Sequence, residues 1–149
     1  MPKEINHLRV GGLFTTPVYI NAFLEWDKYL KGLKNVFSIE AEVIESNTKP
    51  TYPIGEIVVD GFGQIQHYDD FGDRKRVIVA LGKNDVGGLL QLYPTDKKIK
   101  VIGGSSDHAI VDVEDSDKEY KVGDIITFEL DYESIMFAAQ SKYLNVIYK

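Results

Sequence analysis

The segment FSIEAEV, residues Phe37 to Val43, alternates strictly between apolar and polar side chains. Phe37, Ile39, Ala41 and Val43 would share one face, and the serine and two glutamates between them would share the other. Alternation with a period of two is typical of a β-strand that buries one face. The segment therefore predicts a half-buried strand, with the structural period changing at residue 37.

The residues before this strand follow a helical period instead. In the stretch INAFLEWDKYLKGLKN, from residue 20 to residue 35, large apolar side chains recur every three or four positions: Phe23, Trp26, Leu30 and Leu33. Such spacing places them on one face of an α-helix, and Asn21 can cap its start. We therefore predict one main helix over residues 20–34.

The residues after Val43 contain further strand-like runs separated by turn-forming residues. These runs are GEIVV, KRVIVALG, KIKVIG, HAIVDV, DIITFEL and KYLNVIY, and the interruptions between them include KPTYP and YPTDK. Near the end, DYESIMFAAQ predicts a short helix capped by Asp131, with one face formed by Tyr132, Ile135, Met136 and Ala139. Short strands at this spacing predict a mostly β protein, built as an antiparallel barrel or sandwich.

Length and composition limit the class of protein. The chain has 149 residues, of which 44% are hydrophobic, so one domain with its own core is expected. No apolar run approaches the roughly 20 residues of a membrane span, and MPKEINHLRV lacks the apolar core of a signal peptide. The absence of cysteine excludes disulfides and thiolate metal sites, and it favours a cytoplasmic protein. A net charge of −6 argues against a nucleic-acid partner.

The run IGGSSDHAIVDVED, residues Ile102 to Asp115, holds the polar interruption Ser105 to His108 between two apolar segments. The interruption is either a solvated hairpin turn or a loop that presents side chains to a ligand. The three histidines His7, His67 and His108 show no metal-ligand spacing, so no metal site is expected.

Three other positions can carry chemistry or be structural. Lys83 in GKND follows a strand, where it is either a proton carrier or part of an ordinary turn. Gly11 ends LRVGG, and free backbone amides at such a turn can hold phosphate. Tyr132 can donate a phenolic hydrogen bond to a phosphate or lie half-buried in the core.

The order of these pieces resembles the C-terminal domain of the alanine racemase family, and is similar above all to its ornithine racemase-like branch. The resemblance starts near Ile5, and its strongest block runs from Ile102 to Asp131. It implies that residues 1–36 are the remnant of a last barrel strand plus a helix, and that residues 37–149 are a racemase-like β domain. Members of this family also carry an N-terminal (β/α)8 barrel, in which a lysine binds pyridoxal phosphate.

The resemblance also implies roles for individual residues in binding the cofactor. By position, Arg9 would face the pyridine nitrogen of pyridoxal phosphate. The Gly11 amide and the Tyr132 hydroxyl would contact its phosphate. A barrel domain, supplied in cis or in trans, would have to complete this cofactor site.

Another set of residues would face the substrate. Lys83 takes the position of the tyrosine that serves as second acid/base in the alanine enzymes, with Asp107 and His108 as nearby alternatives. Ser106 and Asp107 would lie where the family presents a methionine–aspartate pair near the substrate carboxylate. Asp107 and Asp85 would favour a cationic amino acid such as ornithine or lysine by charge complementarity.

Two functions follow as expectations. The first is the substrate-side domain of a pyridoxal-phosphate-dependent amino-acid racemase, inactive without its barrel and prone to self-association. The chain would then be either a shortened racemase or a separately encoded half. The alternative is a non-catalytic racemase-like β module for protein–protein association, in which Lys83, Asp107 and His108 would be dispensable.

Overall fold

The structure, a computed structural model, describes residues 3–7, 9, 11–16, 28, 32–56, 58, 59, 63–65 and 68–148. Of the predicted helix over residues 20–34, only residues 28 and 32–34 are described, and His67 lies outside the described residues. The elements, in chain order, are α1 (Gly12–Thr15), β1 (Ser38–Pro50), β2 (Asp73–Val79), α2 (Lys83–Val86), a 3-10 turn (Leu89–Gln91), β3 (Tyr93–Pro94), β4 (Lys100–Gly104), β5 (Ala109–Asp112), β6 (Ile125–Glu129) and α3 (Tyr132–Ala138).

The six strands form one antiparallel sheet that curls into a nearly closed barrel. The strand order is β3-β6-β1-β2-β5-β4, and every neighbouring pair is antiparallel. The two edge strands, β3 and β4, approach each other within 8 Å between Cα atoms. The prediction of a mostly β, antiparallel barrel-like fold is therefore confirmed.

Strand β1 is central because it pairs with two neighbours in succession. Residues 38–42 pair with β6, and residues from Val43 onward pair with β2, with an irregularity of register between Val43 and Glu45. Ile39, Ala41 and Val43 are buried, as their alternation predicts, whereas Phe37 is 46% exposed. Phe37 differs because it precedes the first paired residue of the strand, so the sheet does not hold it against the core.

The strand boundaries differ from the predicted ones in three places. Strand β1 continues to Pro50, because Asn47–Pro50 pair with the first four residues of β2. The predicted break YPTDK contains the short strand β3, which pairs with β6. The predicted strand GEIVV is not formed at Val58 or Val59, and the predicted strand KYLNVIY is not formed in residues 142–148. Within residues 142–148, Leu144 alone packs against the core.

Helix α3 confirms the predicted short helix and its cap, but its buried face overlaps the predicted one only in part. The Asp131 carboxylate accepts a hydrogen bond from the Ser134 backbone N–H at 2.7 Å, which satisfies one free amide of the first turn. Asp131 and Ser134 are buried, whereas Tyr132 and Met136 are 59% and 45% exposed. The predicted face is right for Ile135, which packs against the core beside Ala138, and wrong for Tyr132, Met136 and Ala139, because contact with α2 as well as the barrel selects the buried side. No helix within the described ranges is long and apolar enough to cross a membrane.

A polar cluster stabilises the open end of the β4–β5 hairpin, where the chain enters β4 and leaves β5. The Asp96 carboxylate accepts hydrogen bonds from the Ser116 hydroxyl at 2.7 Å, the Lys98 backbone N–H at 2.9 Å and the Tyr120 hydroxyl at 3.3 Å. The bonds from Ser116 and Lys98 hold the pKa of the Asp96 carboxyl below its ordinary value. Since these donors favour the ionised form, they stabilise the fold when Asp96 is charged.

We expect Asp96→Asn to lower the free energy of unfolding by less than about 2 kcal/mol at pH 7. A carboxyl whose folded-state pKa is lowered contributes stability above its unfolded pKa, and this is lost as the pH falls through the folded pKa. The difference between wild type and variant should therefore shrink below about pH 4. Urea unfolding at pH 7 and pH 3 measures it, and an equal difference at both values would contradict the assignment.

Candidate functional site

The polar loop Ser105–His108 packs directly against the N-terminus of α2. The backbone N–H of Lys83 donates to the Ser105 carbonyl at 3.0 Å, and that of Asn84 donates to the Ser106 carbonyl at 2.9 Å. The first amides of any helix lack partners within the helix, so these carbonyls satisfy them. Lys83–Val86 thus form a one-turn helix that is fixed to the neighbouring loop.

Gly82 allows this close approach of two backbones. A Cβ added at Gly82 would lie 2.1 Å from the Ser106 carbonyl oxygen and 2.3 Å from the Asp107 nitrogen. Its backbone is extended, with φ −126°, so the requirement for glycine is one of space and not of conformation. Any side chain here would push the α2 N-terminus away from the loop.

The side chains of Asp107 and His108 are ordered by polar contacts nearby. Asp107 is exposed, and its carboxylate lies 2.9 Å from the Ser106 hydroxyl and 3.4 Å from the Asn84 side-chain amide. His108 is half-buried, with its Nδ1 atom 2.9 Å from the Ser105 hydroxyl. The loop therefore presents the Asp107 carboxylate outward while it engages the His108 ring within its own turn.

The predicted catalytic residues Lys83, Asp107 and His108 thus lie on two adjoining segments. Lys83 is exposed on the first turn of α2, beside the loop that carries the other two. Ser106, predicted to face the substrate, is half-buried and belongs to the same loop. Lys83 and Asp107 are more than 20 residues apart in the sequence. They come together because β5 pairs with both β4 and β2, which brings the loop between β4 and β5 to the end of β2.

Asp85 is placed differently from its predicted role. It is 8% exposed, and one carboxylate oxygen accepts from the Gly82 backbone N–H at 3.1 Å. The other oxygen accepts from the Ser141 hydroxyl at 2.7 Å. Because both oxygens are engaged by internal donors, this geometry does not favour the predicted contact of Asp85 with a substrate.

The predicted cofactor-binding residues are accessible. Tyr132 is 59% exposed at the start of α3, and Arg9 and Gly11 are exposed in the N-terminal segment. Among the described residues, none has an atom within 4 Å of a Cβ added at Gly11, so this side of its backbone is open to a ligand. The described residues contain no group of three or more histidine, aspartate or glutamate side chains that could hold a metal ion.

Three residues of this region escaped the sequence analysis: Gly82, Asn84 and Ser141. Gly82 and Asn84 flank Lys83 within GKND, so they belong to a motif that the sequence analysis singled out, but only Lys83 and Asp85 were assigned roles there. Nothing in the local sequence distinguishes Ser141, because its partner Asp85 lies 56 residues away.

Comparisons with known proteins give sequence relatives over nearly the whole chain. No family model matches the chain. It is 41% identical over 146 residues to an ornithine racemase of Acetoanaerobium sticklandii, which covers 97% of this chain. It is 36% identical over 151 residues to a lysine racemase of Thermotoga maritima, which covers all of it. The chain spans only 40% and 41% of the length of these two relatives.

A solved structure shares the fold. The crystal structure of alanine racemase from Oenococcus oeni matches 93% of this chain and 37% of its own, with a TM-score of 0.51 and 20% sequence identity. At this identity the match concerns the fold alone, and it agrees with the nearly closed barrel and its following helix. The chain therefore has the fold of an alanine-racemase-like C-terminal domain and is similar in sequence to an ornithine racemase and a lysine racemase.

Proposed function

We propose that the chain is the substrate-side part of a pyridoxal-phosphate-dependent racemase that acts on a basic amino acid. The observation that carries this proposal is the similarity, at 41% and 36% identity over nearly all of the chain, to proteins named ornithine racemase and lysine racemase. In this proposal residues 1–36 are the end of a barrel and the segment that follows it, and residues 37–149 are the domain that faces the substrate.

The proposed chemistry removes the α-proton from one face of the amino acid and returns a proton to the other face. Such a reaction needs one acid/base group on each side. Lys83 is our candidate for the group that this chain contributes, because it is exposed and beside the Ser105–His108 loop. A barrel domain, in cis or in trans, would supply the opposite group.

Pyridoxal phosphate, when bound, withdraws electrons from the α-carbon and so makes the α-proton more acidic. The chemistry and exposure of three residues support a partial site for it. Gly11 has open space at its backbone, and Tyr132 and Arg9 are exposed polar side chains that can meet a phosphate and a ring nitrogen. They would hold one edge of the cofactor while the barrel encloses the remainder.

Asp107 is our candidate for substrate selection. Its carboxylate is exposed, and the contacts from Ser106 and Asn84 fix its direction. A fixed carboxylate favours a substrate that carries a second positive charge, as ornithine and lysine do. Ser106 would line the same side of the substrate. For His108 we retain the role of an alternative acid/base, although its Nδ1 atom already meets Ser105.

Reconstitution tests the proposal directly. We expect the purified chain alone to show no saturable visible band with pyridoxal phosphate and no interconversion of D- and L-amino acids. Adding the part of the Acetoanaerobium sticklandii ornithine racemase that this chain does not match should produce turnover, faster with ornithine or lysine than with alanine. Turnover by the chain alone would contradict the division of labour, and turnover of alanine above both basic substrates would contradict the substrate class.

The exposed apolar residues between β1 and β2 favour the alternative function, an association module. Ile54, Val58, Ile65 and Phe71 are each more than 70% exposed, which is unusual for large apolar side chains grouped in one segment. If reconstitution gives no turnover with any basic amino acid, while the chain self-associates through this segment, the association module would be the better-supported function. Light scattering of the wild type and of a Phe71→Ser variant distinguishes these outcomes.

A further inference from the structure

A buried carboxylate connects two separate parts of the chain near the candidate site. Asp85 links the Gly82 backbone N–H, at 3.1 Å, to the Ser141 hydroxyl, at 2.7 Å. Ser141 follows α3, and its hydroxyl also accepts from the Tyr143 backbone N–H at 3.2 Å. We refer to Gly82, Asp85 and Ser141 as the Asp85 bridge.

The position of Ser141 in the bridge is fixed by backbone hydrogen bonds to the end of α3. Its N–H donates to the carbonyls of Phe137 and Ala138, at 3.1 and 3.3 Å, and so ends α3. The ring of Phe137 lies against Gly87, where an added Cβ would be 2.6 Å from it, so α3 and α2 are in close contact. Two elements therefore meet at the bridge, one bearing Lys83 and the other Tyr132.

We propose that Ser141 is a positioning residue that, through Asp85, holds the N-terminus of α2 against the Ser105–His108 loop. The positioning is argued from the contacts of Asp85 and Gly82 alone, whereas its consequence for a substrate rests on the proposed racemase function. Removing the Ser141 hydroxyl would leave a buried carboxylate oxygen without its donor. Asp85 would then turn toward solvent and release the Gly82 amide.

The release would spread to the residues that face the substrate. Gly82 is in contact with the backbone of Ser106 and Asp107, so its position sets the distance between the two segments. The Lys83 and Asn84 amides would lose their alignment with the loop carbonyls, because these bonds start at the residues directly after Gly82. Lys83 and Asp107 would then no longer be held at a constant separation.

Hydrogen exchange in the isolated chain tests the positioning without any assay of activity. We expect Ser141→Ala to accelerate exchange of the Lys83 and Asn84 amides by about tenfold or more. Ser141→Thr keeps a hydroxyl and should restore slow exchange. The matched control is Ser116→Ala, which removes another serine–aspartate hydrogen bond of 2.7 Å at the opposite end of the β4–β5 hairpin. Unchanged exchange in Ser141→Ala, or equal acceleration in both alanine variants, would overturn the proposal.

The reconstituted enzyme tests the consequence for the substrate. We expect Ser141→Ala to raise KM for the basic amino acid by about tenfold and Ser116→Ala to leave it unchanged. If the wild-type assembly is inactive, the proposed racemase function fails, and the exchange experiment still decides whether Ser141 positions α2. If the assembly is active and Ser141→Ala accelerates exchange without raising KM, the bridge has no role in holding the substrate, and that part of the proposal is wrong.

Discussion

Lys83→Ala is expected to lower the turnover number of the reconstituted racemase by about 10²–10⁴-fold, the range associated with one acid/base group. Lys83 lies exposed on the first turn of α2, and its backbone is fixed to the Ser105 carbonyl at 3.0 Å. The alanine variant keeps this backbone contact, so the loss should appear in turnover more than in folding. Steady-state assays of D/L interconversion, with unfolding curves of each variant, separate the two effects.

Two further lysine variants sharpen this experiment. Lys83→Arg keeps a positive charge but not a group that readily gives up its proton, so it should not restore turnover. Lys98→Ala removes an exposed lysine from the loop before β4, at the opposite end of that strand from Ser105–His108, and should leave turnover unchanged. Full activity in Lys83→Ala would remove this residue from the mechanism and direct attention to His108.

Gly82→Ala should lower the free energy of unfolding by about 1–3 kcal/mol or more, the range for overpacking at a close contact. The new Cβ would lie 2.1 Å from the Ser106 carbonyl oxygen and 2.3 Å from the Asp107 nitrogen. Both obstructing atoms belong to the backbone and cannot rotate away, so the loop and α2 must separate. Urea unfolding of the isolated chain measures the loss.

Gly88→Ala is the matched control for this clash. Gly88 also has an extended backbone, with φ −116°, and an added Cβ would lie 2.0 Å from a side-chain atom of Gln91. Because the end of the Gln91 side chain can change rotamer, the variant should lose much less stability. Similar losses for the two glycine variants would mean that the contact between α2 and the loop is not tight.

Part of the candidate site could be predicted because its residues form compact motifs. Ser105–His108 stands out as a polar interruption between strands, and GKND stands out as a turn after one. The two motifs adjoin because β5 pairs with both β2 and β4. The sequence predicts an antiparallel barrel or sandwich but not which strands pair. The role of Asp85 could not be predicted, since its carboxylate is oriented by Ser141, 56 residues later.

The same division holds for the secondary structure. The alternation of Ile39, Ala41 and Val43 was sufficient to predict a strand and its buried face, because the local period of the side chains follows from backbone geometry. For the run KYLNVIY the apolar composition was misleading, because a strand forms only where a partner strand is available to pair with it. Residues 142–148 have none among the described strands, and most of their large apolar side chains are exposed.

By itself, the sequence determined the mostly β class, the positions of five of the six described strands and the cap of α3, because these depend on neighbours a few residues away. Tertiary structure alone decided the buried face of α3, the length of β1 and the burial of Asp85. These depend on which distant segments supply hydrogen-bond donors and contact surface. Gly82 shows the physical reason: its lack of a side chain becomes necessary only when the backbone of Ser106 and Asp107 occupies the adjacent space.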